Sequence, residues 1–118
     1  MERSRFVPHK GREIFVLDCA DCSAGMVHDI IDECAKQVQN RPEKSVRTLT
    51  IASGGKFDNE TISKLKELTK GNAPYVEKAA LVGISGLYKV LVTAVMMFSK
   101  REFSMFDVKE AALDYLAG

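Results

Sequence analysis

The chain reads as one α/β domain over residues 1–118, with a mostly parallel sheet of four to five strands, an N-terminal edge hairpin and about four helices. Three observations predict this class. Residues 79–84 (Ala-Ala-Leu-Val-Gly-Ile) form an apolar run, break at a Gly-Ile-Ser-Gly corner, and give way to residues 87–98, which are apolar at helical spacing. That succession is half of a βαβ unit. Upstream, apolar runs of strand length alternate with amphipathic stretches of ten or more residues, as right-handed crossovers between parallel strands require. Residues 13–18 (Glu-Ile-Phe-Val-Leu-Asp) have a continuous apolar centre, the mark of a strand covered on both faces.

Residues 3–8 precede a Lys10-Gly11-Arg12 turn signal, so they and residues 13–18 form the expected hairpin. Pro8 suits an edge, and Arg3, Arg5, Lys10 and Arg12 protect that edge from strand addition. The first helix runs over residues 24–39. Val27, Ile30, Ile31, Cys34 and Val38 share a face, and Ser23 or Asp21 caps the start. Residues 45–52 hold a strand centred on Val46, Leu49 and Ile51, and Ser53-Gly54-Gly55 is a turn. Asp58 caps the second helix. Phe57 and Ile62 form a staple, Leu65, Leu68 and Thr69 continue the inner face, and Glu60 pairs with Lys64 outside. Gly71, Asn72 and Pro74 end that helix.

The third helix is the centre of the chain. Leu87, Val90, Leu91, Ala94, Val95 and Phe98 form the face expected to cover the sheet. Tyr88, Val92 and Met96 form a second apolar row, to be covered by the neighbouring helix first, or else by a second copy of the chain or a lipid or small apolar ligand. Residues 103–106 are a short last strand. Asp107 and Glu110 cap a final helix with Val108, Ala111, Ala112, Tyr115 and Leu116 inward.

The composition, 46% apolar and 28% charged, is that of a globular domain. A net charge of +1 supplies no electrostatic footprint for nucleic acid. No stretch is long and apolar enough to span a membrane. Three cysteines without a secretory leader argue against a disulfide framework and for a reducing cytoplasm.

Several motifs hold chemistry-bearing residues. Cys19-Ala-Asp-Cys22 lies between a strand and a helix, where a dithiol redox site can sit, but no aromatic precedes it and no proline lies between the cysteines. His9 and His28 are far apart, and His28 with Asp29, Asp32 and Cys34 gives no ligand spacing, so no metal is expected. Gly83-Ile-Ser85-Gly86 lacks the second glycine of a nucleophile elbow, and Ser85 reads as a helix cap. Ser53-Gly-Gly-Lys56 is not a P-loop, since Phe57 follows the lysine, although such a turn can hold a phosphate or carry one on Ser53. No catalytic constellation and no cofactor signature emerge.

Taken together, residues 9–18, 57–75, 82–87 and 103–107 resemble the small stand-alone bacterial STAS-like proteins, relatives of anti-sigma-factor antagonists whose fold is compared with CRAL-TRIO lipid-binding domains. The resemblance implies a non-catalytic regulatory or interaction module, controlled by phosphorylation or ligand binding. It places a phosphoacceptor at Ser53, in the Ser53-Gly54-Gly55 turn. Candidate ligand or interface residues are Ser85, Gly86, Tyr88, Val92 and Met96. The partner is then another protein or a second copy of the chain. The alternative is a carrier of a lipid or small apolar ligand, and a Cys19/Cys22 redox protein ranks last.

Overall fold

The computed structural model describes residues 1–84, 86–99 and 103–118. The elements are β1 (Ser4–His9), β2 (Arg12–Asp18), α1 (Ala24–Val38), β3 (Val46–Ile51), α2 (Asn59–Asn72), β4 (Val76–Val82), α3 (Leu87–Ser99), β5 (Ser104–Phe106) and α4 (Lys109–Ala117). They form the α/β architecture expected, with a five-stranded sheet and four helices among the described residues.

The strands lie in the order β1-β2-β3-β4-β5. β1 and β2 pair antiparallel around Lys10-Gly11, both at positive φ, as a two-residue hairpin turn needs. The other pairs are parallel. Each crossover steps the chain one strand further in the same direction. Right-handed crossovers that advance one way put their helices on one face. Accordingly α1, α2 and α3 lie side by side on that face, and α4 covers the other.

Strand alternation then divides the core in two. Phe15, Leu17, Val46 and Ala79 point toward α1 and α2, where Val27, Ile30, Val38 and Leu68 meet them. Ile14, Val16, Leu49, Ile51, Ala80 and Val82 point toward Ala112, Leu113 and Leu116 of α4. A register shift between Val46 and Arg47 sets Thr48 opposite Ala79 and Thr50 opposite Leu81.

The expected caps of α1 and α2 are present. The Ser23 hydroxyl accepts from Met26 N–H at 3.3 Å, and an Asp58 carboxylate oxygen accepts from Thr61 N–H at 2.8 Å. Other details differ from the sequence reading. In α2 the buried side is Thr61, Leu68, Thr69 and Asn72, with Leu65 partly buried, and Lys64 bonds Asp32 of α1 at 2.8 Å. In α4 the buried residues are Ala112, Leu113 and Leu116, while Val108, Ala111 and Tyr115 are exposed. Its N-cap is Val108, which makes no side-chain cap bond.

Arg47 of β3 is buried on the α4 face. Its Nε donates to Glu77 at 3.1 Å, and its Nη1 donates to the carbonyls of Leu116 and Gly118. This guanidinium ties the last turn of α4 to the sheet.

Candidate functional site

The feature that stands apart from this packing lies under α3. That helix packs mainly on α2. The Tyr88 ring meets the Phe57 ring edge-on, with centroids 5.4 Å apart, and Phe98 lies near the ammonium groups of Lys66 and Lys70. These contacts fix the rotation of the helix. They turn Tyr88, Leu91, Val92 and Val95 inward, at spacing i, i+3, i+4 and i+7.

This corrects the face expected from sequence. Val90, Ala94 and Phe98, read as covering the sheet, are exposed, with Val90 67% exposed and Met97 beside that row 76% exposed. The second row supplies Tyr88 and Val92 to the interior beside α2. Met96 is half-buried and is not among the cavity-lining residues. The side chain of Leu87, and Ser85 altogether, lie outside the described residues; Gly86 is exposed just before α3 at φ +46°.

Between the inner face of α3 and the sheet is a cavity of about 90 Å³. Leu17, Thr48, Thr50 and Leu81 of the sheet form its floor, Leu65, Leu68, Thr69 and Asn72 of α2 its side, and α3 its roof. Cys34, Ala52, Phe57, Ile84 and Phe103 complete the lining. Domain interiors ordinarily pack to crystal density, with few voids larger than a water. This one is half open to solvent, a cleft under the helix with mostly apolar walls.

Among the described residues, the lining holds no lysine, arginine, histidine or carboxylate. The polar groups of α2 are engaged within the protein. Thr69 donates to the Leu65 carbonyl at 2.7 Å, and the Asn72 amide accepts from Gln39 at 3.0 Å and donates to Cys34 Sγ at 3.6 Å. Thr48 and Thr50 are different: neither hydroxyl has a hydrogen-bond partner among the described residues. Thr48 is only 6% exposed.

The Ser53-Gly54-Gly55 turn follows β3 at the carboxyl end of the sheet. Ser53 is exposed and Gly55 buried. A methyl group at Gly55 would come 2.6 Å from the Cys19 carbonyl oxygen, and one at Gly83 would come 2.7 Å from the Ser53 nitrogen. These glycines let three strand-end loops stack, which accounts for the glycine pattern without a phosphate. The Asp21 carboxylate lies against Gly54, so a phosphate on Ser53 would be placed close to a like charge.

The cysteines are all buried. Burial first, then the neighbouring Cys22 and Asp18, push the Cys19 thiol up to about 12, with Arg3 opposing. A nucleophilic thiolate needs the opposite shift. Arg3 Nη1 lies 3.2 Å from Cys22 Sγ and 2.9 Å from the Ala20 carbonyl, so it anchors this loop.

Two polar clusters escaped the sequence reading because their members are distant in the chain. The Thr61 hydroxyl donates to Asp58 at 2.7 Å and stands 3.0 Å from His28 Nε2, joining α1 to the start of α2. The Thr61 N–H and hydroxyl hold the Asp58 carboxyl below its ordinary range. Elsewhere His9, Glu110 and Asp114 bring three possible ligand atoms within 4.8 Å of one another. Lys10 Nζ sits 2.9 Å from the same Asp114 oxygen that His9 reaches at 2.8 Å, so this cluster already holds a cation of its own.

Comparison with protein-family models, curated proteins and solved structures finds no match. None of the described helices is long and apolar enough to cross a membrane.

Proposed function

We propose that the chain is a non-catalytic regulatory module that forms a homodimer through α3 and is controlled by a small ligand held beneath that helix. The support is the two-sided character of α3. Its inner side roofs an apolar cavity, and its outer side presents Val90, Ala94 and Met97 at i, i+4 and i+7. Surface helices usually bury one stripe and expose a polar one. A helix apolar on both sides has work for each: a ligand within and a protein surface without. This is the kind of role that the STAS resemblance implies.

The cavity narrows the ligand. It is smaller than the engineered hole of about 150 Å³ that accepts benzene. With α3 in its present place it takes a small molecule, not a whole acyl chain.

Light scattering over a concentration series tests the dimer. The wild type should associate, and the double variant Val90→Lys/Met97→Lys should remain monomeric with an unchanged melting temperature. A wild type that stays monomeric at several hundred micromolar overturns the reading.

A further inference from the structure

We infer that the cavity beneath α3 binds a neutral molecule with an apolar body and a single hydrogen-bonding head, and that Thr48 on β3 receives that head. This rests on the proposal that the cavity is a ligand site. It adds which chemistry the site selects.

Alternation along β3 sends Thr48 and Thr50 toward the cavity and Leu49 and Ile51 toward α4. The Thr48 side chain is more than nine-tenths buried, yet its hydroxyl bonds nothing among the described residues. Among those residues, no fully enclosed side-chain nitrogen or oxygen lacks a partner. The Thr48 oxygen is therefore not fully enclosed, and Thr48 lines the cavity. Buried polar groups in native proteins are otherwise almost always satisfied. A hydroxyl at a largely apolar cavity can donate to or accept from a bound molecule.

Charge excludes the obvious amphiphiles. Among the described residues, no lysine, arginine, histidine or carboxylate lines the cavity. A carboxylate or ammonium placed against Thr48 would lose hydration with no counter-charge among those residues. An alcohol, aldehyde, ketone or amide would not.

A titration followed by amide and methyl NMR shifts of Thr48, Leu81 and Val92 tests this. The probes are 1-butanol, butanoate, butylammonium and pentane. Butanol and pentane should perturb the cavity signals, and the two ions should bind at least about tenfold more weakly than butanol. Thr48→Val keeps the shape and removes the hydroxyl. It should weaken butanol about tenfold, the worth of a good hydrogen bond, and leave pentane unchanged. Thr48→Ser should restore butanol binding. Equal binding of butanoate and butanol, or a Thr48→Val protein that binds butanol as the wild type does, overturns the selectivity while the ligand site stands. If neither butanol nor pentane perturbs the cavity, the ligand site fails, and the selectivity with it.

Discussion

Val92→Ile measures the space beneath α3 directly. Val92 lies on the roof of the cavity, and isoleucine adds one methylene while keeping a β-branched side chain. An extra buried methylene contributes about 0.8 kcal/mol when there is room for it. The ceiling follows from the cavity itself, about 90 Å³; at ~24 cal/mol per Å³, filling it completely would recover ~2 kcal/mol. Val92→Ile should therefore stabilise the protein by about 0.8 kcal/mol, a rise in Tm of roughly 4 °C for a domain of this size. In a filled core the same insertion costs about 1–3 kcal/mol, so the sign alone separates the two cases. Urea denaturation gives the free energy, and a thermal melt gives the shift. Val90→Ile on the exposed side is the control, expected to stay within about 0.5 kcal/mol of wild type. A Val92→Ile protein destabilised by about 1 kcal/mol or more would refute the space inferred under the helix.

Other expectations follow from the same contacts. Thr61→Val removes the hydroxyl shared by His28 and Asp58 and should cost about 1–3 kcal/mol in urea denaturation. Asp58 has a depressed folded-state pKa, so its contribution is present above the ordinary aspartate range and is lost as pH falls through the folded value. Asp58→Asn keeps an acceptor for the cap and should flatten the decline in Tm below about pH 4. Gly83→Ala forces a side chain onto a backbone at φ +79°, beside the Ser53 nitrogen, and should cost about 1–3 kcal/mol in the same measurement. With a pKa pushed up to about 12, Cys19 should be alkylated very slowly in the native protein at pH 8, its rate still rising about tenfold per pH unit where an exposed thiol has levelled off.

How much of this was legible in the sequence depends on how local the cause is. The hairpin was readable because Lys10-Gly11 sits between two apolar segments, and the caps at Ser23 and Asp58 because a cap acts within one turn of its helix. The helix-strand alternation determined the sheet. The rotation of α3 was not readable. Its sequence is apolar on nearly every side, so periodicity names two faces and cannot choose between them. The choice is made by Tyr88 against Phe57 and by Phe98 beside Lys66 and Lys70, contacts with residues 28 to 32 positions away.

The site was half visible for the same reason. Tyr88 and Val92 were singled out and do line the cavity, whereas Met96 does not. Thr48 and Thr50 were passed over because the strand was read from Val46, Leu49 and Ile51. The alternation Val46-Arg-Thr-Leu-Thr-Ile51 did carry a signal, a strand with two threonines on one face. Nothing local could show that the helix above them stands clear. Arg47 is a second case: its burial follows from α4 folding back on the far face, some seventy residues later.

The claim on which the rest depends is that α3 arches over an apolar hole instead of lying flat on the sheet. Xenon enters such holes and scatters strongly, so a crystal held under xenon pressure tests it with a single atom. A xenon peak between Val92 of α3 and Leu81 of β4, near the Thr48 hydroxyl, is the predicted result. No peak there, with Tyr88 and Val92 packed directly on β3 and β4, would contradict it.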